Sequence, residues 1–433
     1  MRCSVPVLEE SLVRRLTDLV RRATDDKIAV MFARALTSTL ETTVHREPDG
    51  TTFVITGDIP AMWLRDSTAQ LGPYLLLLAD APELLDLIIG LLRRQFQYIR
   101  HDPYANAFNR EANGNAYRAD DLDADPWVWE RKYEIDSLAF PVLLAHRVWR
   151  QTGSTAFADE TFRAALEAIV DTLRTEQDHE ARSPYRFERP GEPASETLSR
   201  NGLGSPVAHT GMTWSGFRPS DDACVYGYNV PGNLFVATAL GHLAELATEV
   251  LGDRLLAQRA RELRAEIEAG VAAHGIVEHP VHGRIYAYEV DGFGNSLLMD
   301  DANMPSLLSL PLLGVCSPDD ELYLATRAFV LSGDNPFFFT GTAARGIGSP
   351  HTPDAYIWPI ALAVQGLTTP DRDAKLALLH VLRDTDAGTY ALHEGFHRDD
   401  PTQFTRPWFS WAGSMFCELV LDYCGISLGT LDD

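Results

Sequence analysis

Two consecutive segments decide the fold: VPGNLFVATALGHLAELATEVL at residues 230–251 and RLLAQRARELRAEIEAGVAAH at residues 254–274. The first segment is apolar around most of a helical circumference, which is typical of a helix buried between other elements. The second carries charged residues around one apolar stripe, which predicts a half-exposed helix. A buried helix followed at once by a surface helix is the repeating unit expected of a double-layered α/α barrel.

The same order of an apolar and then a charged segment recurs along the rest of the chain. Helical spacing of apolar residues predicts helices at 8–23, 28–40, 82–99, 154–176, 301–313, 318–331, 356–367, 371–384 and 408–423, with two more that end at 77 and 149. About twelve to fourteen helices are expected in all. Short β elements are expected at 51–56 and as a ribbon at 283–290. No fixed period favours a solenoid, so we expect one domain over residues 1–433, with the long loops on one face.

The charge balance excludes some classes of partner. The chain has 61 acidic and 37 basic side chains, a formal net charge of −24. Such a charge repels phosphate backbones and anionic lipid surfaces, so neither nucleic acid nor a membrane is an expected partner. The first ten residues lack the apolar core of a signal peptide, and no apolar run reaches the roughly 18–20 residues of a membrane span. These features predict a cytoplasmic protein.

Cysteine usage agrees with that expectation. The five cysteines are odd in number and scattered through the chain, without a close pair suited to zinc: Cys3, Cys224, Cys316, Cys417 and Cys424. Reduced, buried thiols are therefore expected.

The stretch before the apolar helix at 230 is a candidate reactive site. It contains two adjacent carboxylates, Asp221 and Asp222, beside Arg218. Four aromatic residues surround them in the sequence: Trp214, Phe217, Tyr226 and Tyr228. This composition is typical of an aromatic-walled sugar pocket. The alternative is structural, because Ser220 is a good N-cap and acids in a first helical turn favour the helix dipole.

A second candidate carboxylate, Glu394, lies near the end of the chain. The string His393-Glu394-Gly395-Phe396-His397 matches the H-E-x-x-H pattern of zinc peptidases, with Glu418 as a distant third ligand. That pattern requires a helix, whereas glycines and a proline surround the string. We therefore interpret Glu394 as a functional loop carboxylate and keep the zinc peptidase as an alternative.

Asp221 and Glu394 together offer the pair of carboxyl groups that glycoside hydrolysis needs: one protonated acid and one ionised base or nucleophile. A general acid must hold its proton, whereas a helix N-terminus at Asp221 would favour the ionised form. Other polar groups precede apolar helices and are candidates to hold sugar hydroxyls. They are Trp63, Arg65 and Asp66, the segment with Asp301 and Asn303, and the segment with His351 and Trp358. Helix capping is the structural alternative for Asp301 and His351.

Four motifs resemble glycoside hydrolase family 125, the bacterial and fungal exo-α-1,6-mannosidases. They are GDIPAMWLRDS at 57–67, YEIDSL at 133–138, GFRPSDDA at 216–223 and LHE at 392–394, and the matches extend from about Val30 to Leu421. The resemblance implies an all-α (α/α)6 barrel and a metal-independent, inverting removal of terminal α-1,6-linked mannose, as from N-glycan fragments, without a cofactor.

The resemblance also implies roles for single residues. It places the general acid in the 218–222 motif, where we prefer Asp221 over Asp222, and the base at Glu394. The expected substrate-binding residues are Trp63, Arg65, Asp66, Asp136, Arg218, Asp222, Asn303, His351 and Trp358. A non-catalytic mannoside-binding protein remains the third possibility.

Overall fold

The computed structural model describes residues 8–118 and 125–426. Within these ranges most of the regular structure is helical, which confirms the predicted class. The α-helices are α1 (Glu10–Ala23), α2 (Asp26–Ser38), α3 (Leu64–Gln70), α4 (Gly72–Leu75), α5 (Leu84–His101), α6 (Asp136–Thr152), α7 (Glu160–Glu176), α8 (His179–Arg182), α9 (Ser199–Gly202), α10 (Val230–Glu249), α11 (Arg254–His274), α12 (Glu321–Val330), α13 (Pro359–Leu367), α14 (Arg372–Asp384) and α15 (Ser410–Tyr423). A π-helical turn, Thr39–Thr43, continues α2.

The strands are short and antiparallel. They are β1 (Val44–Arg46), β2 (Thr52–Val54), β3 (Met62–Trp63), β4 (Ala107–Phe108), β5 (Val128–Glu130), β6 (Tyr228–Asn229), β7 (Ile276–His279), β8 (Gly283–Tyr286), β9 (Glu289–Val290), β10 (Ser296–Leu297), β11 (Phe338–Thr340), β12 (Arg345–Ile347), β13 (Tyr356–Ile357), β14 (Gly395–His397) and β15 (Phe404–Thr405). The ribbon predicted at 283–290 is divided: β8 pairs with β7, while β9 lies between β6 and β10.

The pair of helices that decided the fold forms as predicted. Asn229 caps α10, because its side chain accepts a hydrogen bond from the Gly232 amide at 2.8 Å. Asp253 caps α11 in the same way, through the Leu256 amide at 3.0 Å. Most of α10 is buried, whereas α11 buries one stripe and exposes its charged side chains. This helix pair therefore confirms the pattern of inner and outer helices.

The helix predicted at 301–313 does not form. The buried carboxyl group of Asp300 accepts hydrogen bonds from the Leu307 and Leu308 amides at 2.8 and 3.0 Å. Pro305 stands in the middle of the segment and cannot donate a backbone hydrogen bond. The segment therefore folds as turns around Asp300, since side-chain hydrogen bonds replace the helical ones.

The described residues belong to two compact units. One falls in the spans Met1–Met62, Asp66–Arg94 and Pro336–Asp433, and the other in Trp63–Arg65 and Gln95–Asn335. In the first unit α15 packs against α2, α13 and α14, and in the second α10 packs against α6 and α11. The single domain over 1–433 stays a prediction. Among the described residues, no helix has the length and apolar character to cross a bilayer.

Candidate active site

Asp221 lies at the tip of a tight loop, residues 217–223, which we call the acid loop. Phe217 and Ala223 form an isolated antiparallel bridge at its base. Inside the loop the Arg218 amide donates to the Asp222 carbonyl at 2.7 Å, and the Asp221 amide to the Arg218 carbonyl at 2.9 Å. Asp221 itself has a φ of 68°, a left-handed conformation that is uncommon outside glycine and concentrates at functional sites.

This geometry corrects the structural alternative for Ser220, Asp221 and Asp222. No helix begins in the acid loop, which the structure describes completely, and the next long helix starts at Val230. The two aspartates therefore do not lie in a first helical turn. A helix dipole therefore does not oppose a protonated Asp221.

Two buried contacts hold the acid loop in place. Arg218 donates from Nε to Glu289 Oε1 at 2.5 Å, and Glu289 Oε2 accepts the Val225 and Tyr226 amides at 2.8 and 2.9 Å. Ser220 donates from Oγ to Asp301 Oδ2 at 2.6 Å. Arg218 and Asp301 thus act as anchors of the loop, and Asp301 caps no helix.

A cluster of buried charged groups surrounds the Asp221 carboxylate. Its Oδ1 accepts a hydrogen bond from Asn106 Nδ2 at 3.2 Å and lies 3.8 Å from Arg65 Nη2. Arg65 Nη1 also contacts Glu134 Oε2 at 2.6 Å and Asp136 Oδ2 at 3.1 Å. We call these five residues the acid cluster.

The acid cluster holds more carboxyl groups than its one guanidinium can neutralise. Burial raises the pKa of Glu134 well above its usual range. The positive charge of Arg65 opposes this rise, whereas the negative charge of Asp221 and hydrogen bonding with Asp221 add to the rise. A hydrogen bond between two carboxyl groups requires a proton on one of them. Burial likewise raises the pKa of Asp136. The cluster therefore favours the retention of a proton beside Asp221.

Exposure separates the two aspartates of the acid loop. The Asp221 side chain is 25% exposed, whereas Asp222 is buried. Only the first therefore offers its carboxyl group to a ligand from solvent without a rearrangement of the loop.

Glu394 lies directly before β14, in the other compact unit. Its amide donates to the Thr405 carbonyl at 3.3 Å, and its side chain is 9% exposed. β14 pairs with β13 and β15, so Glu394 projects from the end of a three-stranded sheet.

Arg406 is the counter-ion of Glu394, with Nη1 3.5 Å from Oε1. The guanidinium is held by Asp58 Oδ1, at 2.5 Å from Nη2 and 3.0 Å from Nε, and by Thr56 Oγ1 at 3.1 Å. Burial acts to lower the pKa of Arg406, but the hydrogen bond with Asp58 and the charges of Glu394, Asp58 and Asp66 together outweigh it and raise the pKa. Asp66, which is buried at the start of α3, thus belongs to the same group of charges.

Trp358 forms a wall beside the base. Its indole is fully buried and donates from Nε1 to Thr352 Oγ1 at 2.9 Å. A Cβ atom added to Gly395 would lie 3.3 Å from this indole, so a larger residue after Glu394 would require a small shift of the Trp358 ring. His351 is exposed with its ring centroid 6.5 Å from that of Trp358. It caps no helix, since α13 begins at Pro359 with Trp358 in the cap position.

The H-E-x-x-H string does not form a zinc-peptidase site. Residues 395–397 are a strand, so His393 and His397 do not share a helical face. His393 stacks on Phe404 with ring centroids 3.7 Å apart, and burial lowers its pKa. Among the described residues, neither histidine belongs to a group of three potential metal ligands. The zinc-peptidase alternative is therefore wrong.

Two candidate substrate-binding residues have buried polar atoms without a partner in the described part of the chain. They are the indole N–H of Trp63 and the side-chain oxygen of Asn303. A buried polar group left unpaired costs about 1–3 kcal/mol. An incoming hydroxyl group or a water molecule can remove that cost, so both atoms are suited to meet a sugar.

Sequence reasoning did not identify Asn106, Glu134, Arg406 and Asp58 as site residues. Asn106 lies in the polar loop at 101–129, whose aromatic content indicated order but not a partner. Glu134 is in the motif at 133–138, two residues before the assigned Asp136. Asp58 lies inside the motif at 57–67, whereas Arg406 lies in none of the four motifs. The two residues are 348 residues apart, so the sequence did not indicate that they pair.

Comparisons with known proteins identify the family. The family model of the metal-independent α-mannosidases, glycoside hydrolase family 125, matches residues 25–421. The Schizosaccharomyces pombe meiotically up-regulated gene 157 protein is 39% identical over 435 residues, 95% of this chain and 85% of that protein.

Solved structures agree with this match. An α-mannosidase of Streptococcus pneumoniae, solved in a non-productive complex with α-1,6-mannobiose, is 48% identical with a TM-score of 0.94, over 97% of this chain and 100% of that one. Glucoamylase from Saccharomycopsis fibuligera, 12% identical with a TM-score of 0.59 over 98% and 97% of the two chains, shares the fold alone. The predicted helical fold of the family is confirmed, and the chain belongs to glycoside hydrolase family 125, the metal-independent α-mannosidases.

Proposed function

We propose that this α-mannosidase removes terminal α-1,6-linked mannose from the non-reducing end of oligosaccharides, with inversion at the anomeric carbon. One observation carries the linkage: the S. pneumoniae enzyme that shares 48% of its residues was solved with α-1,6-mannobiose. A mannose-containing oligosaccharide, such as an N-glycan fragment, is the proposed substrate, and the reaction needs no cofactor.

Asp221 is the proposed general acid. It is the most exposed member of the acid cluster, and the raised pKa of the neighbouring Glu134 favours a proton that the two carboxyl groups can share. In the reaction this proton passes to the glycosidic oxygen as the bond from that oxygen to the anomeric carbon breaks.

Glu394 is the proposed general base. The positive charge of Arg406 at 3.5 Å stabilises an ionised carboxylate. That carboxylate takes a proton from water while the water oxygen bonds to the anomeric carbon from the opposite side. The products are mannose of inverted configuration and a glycan shortened by one residue.

The remaining site residues are assigned by what their polar atoms already contact. Trp63 and Asn303 have atoms available for sugar hydroxyls. Trp358 forms a wall, because its indole N–H is already hydrogen-bonded. Arg218 acts through the acid loop, because its guanidinium Nε is already hydrogen-bonded. The remaining candidates for contact with mannose are Arg65, Asp66, Asp136, Asp222 and His351. We further propose a cytoplasmic location, supported by four free cysteines among the described residues and tested by cell fractionation.

Proton NMR of mannobiose digestion tests linkage, activity and stereochemistry together. We expect cleavage of the α-1,6 isomer well above the α-1,2 and α-1,3 isomers, with β-mannose as the first product detected. Inactivity of Asp221→Asn and Glu394→Gln, with an unchanged circular dichroism spectrum, is the matching control. First release of α-mannose contradicts inversion, near-normal turnover by both variants contradicts the assigned pair, and saturable binding without hydrolysis by the intact protein favours a mannoside-binding role. An inverting pair also requires carboxyl groups roughly 6.5–9.5 Å apart in a crystal structure with bound mannose.

A further inference from the structure

His279, His282 and Asp334 lie together at the end of a β-hairpin, in the same unit as the acid cluster but in none of its contacts. β7 ends at His279 and β8 begins at Gly283, and these two residues form the last pair of the ladder. Asp334 belongs to a turn that follows α12 and donates its amide to Ser332 Oγ at 3.2 Å. The three residues therefore come from two separate segments.

One potential ligand atom from each of these side chains lies within 4.8 Å of the other two. His282 Nε2 is 2.8 Å from Asp334 Oδ2. Ligand atoms of a tetrahedral zinc ion at about 2.1 Å from the metal are about 3.4 Å from one another. The observed spacing thus requires only small side-chain rotations, and the 45% exposure of the Asp334 side chain leaves room for them.

The imidazole rings are held by packing and by the hairpin. Their centroids are 4.9 Å apart, and both rings pack against the buried Phe329, at 5.4 and 5.8 Å. Nδ1 of His279 accepts the Val281 and His282 amides at 3.2 and 3.3 Å, so its lone pair is directed at these two amides. Its two hydrogen bonds are long, and a metal ion competes with them for the same lone pair.

We propose that His279, His282 and Asp334 bind a divalent transition-metal ion such as zinc, with a water-accessible fourth position. Two imidazoles and one carboxylate suit zinc, nickel or copper, whereas calcium and magnesium prefer oxygen ligands alone. The bound ion joins the β7–β8 hairpin to the turn after α12. The site is separate from the mannosidase chemistry, and the proposal does not rest on the proposed function.

Equilibrium dialysis and calorimetry with zinc chloride test the proposal on the untagged full-length chain after removal of metals by chelator. We expect about one zinc ion per chain with a Kd below about 100 µM, and a rise in Tm of roughly 2–4 °C at a hundredfold excess over Kd. The double variant His279→Gln/His282→Gln and the single variant Asp334→Asn should bind roughly 10–100-fold more weakly. The matched control is His101→Gln, which removes a lone histidine paired with Asp125 at 3.0 Å and should bind zinc as the wild type does.

Cobalt supplies a second readout, since its visible absorption reports a site of low coordination number with nitrogen ligands. Wild type and His101→Gln should give this spectrum, and the double variant should lose it. Mannoside hydrolysis without added metal verifies that each variant is folded and should be equal in all four proteins. The absence of any site tighter than about 100 µM in the wild type, or zinc binding and a cobalt spectrum retained in both ligand variants, overturns the proposal.

Discussion

Asn106 Nδ2 lies 3.2 Å from Asp221 Oδ1 and donates a hydrogen bond to it. A neutral donor stabilises the ionised form of a carboxyl group. Asn106 therefore weakens the binding of a proton by the acid cluster. It also connects the polar loop at 101–129 with the proposed general acid.

Replacement of Asn106 should change the pH dependence of catalysis. In Asn106→Leu the ionised form loses its donor, so the alkaline limb of the kcat/KM profile should move to higher pH by about 1 unit. Steady-state kinetics between pH 5 and 9 measure the shift. Asn295→Leu removes a similar donor to Asp291, at 2.6 Å, outside the acid cluster, and should leave the profile in place. A profile that moves equally in both variants contradicts the role of Asn106.

The two aspartates of the acid loop should differ in their effect on turnover. Asp221→Asn removes the proposed proton donor and should lower kcat by about 10²–10⁴-fold. Asp222→Asn changes a buried residue that offers no exposed carboxyl group, and its loss should be smaller and expressed mainly in KM. Equal kcat losses would mean that exposure does not identify the acid.

Arg406 should hold the proposed base, Glu394, in position and favour its ionised form. Arg406→Met removes the positive charge beside Glu394, so we expect a fall in kcat of roughly tenfold or more and an acidic limb of the kcat/KM profile about 1 unit higher. Arg406→Lys should restore part of both. The matched control is Arg398→Met, because Arg398 pairs with its neighbour Asp399 at 3.5 Å. A purely structural role would lower kcat without a shift of the limb.

Stability should depend on pH through Asp300. Burial raises the pKa of this carboxyl group to about 8 in the folded protein, against about 3.9 in an unfolded chain. Between these values the folded state binds the extra proton, so the free energy of unfolding should fall as pH rises from about 4 to 8, by about 1 kcal/mol per unit. Urea unfolding at pH 5 and 7.5 measures this slope.

The variant Asp300→Asn carries no titratable group at position 300 and should lack that slope. Asp291→Asn, at another buried carboxylate that accepts backbone amides, keeps Asp300 and should keep it. The same slope in all three proteins would assign the pH dependence to other groups.

Local patterns were sufficient to predict the helix pair α10 and α11, since burial and exposure follow directly from the spacing of apolar and charged residues. They failed at 301–313, where Asp300 accepts hydrogen bonds from two backbone amides in place of those of a helix. A pattern of apolar residues contains no information on which side chain will accept hydrogen bonds from the backbone amides.

The candidate site shows the same division. Motifs pointed to Asp221, Glu394 and Asp136, which are still predictions as functional residues. The contacts that surround them join distant parts of the sequence: Arg218 and Glu289 are 71 residues apart, and Asn106 and Asp221 are 115 residues apart. Such pairings depend on the tertiary fold, and no local periodicity encodes them.

The left-handed backbone of Asp221 limits which residues can replace the proposed general acid during evolution. Asparagine tolerates that conformation nearly as well as aspartate, whereas β-branched residues do not. With Asp221 as the proposed general acid, a single exchange to asparagine is expected to leave a folded protein that has lost hydrolysis and keeps the proposed mannose-binding residues. Gene duplication followed by this one exchange is thus a short route from a hydrolase to a lectin-like receptor for mannosides.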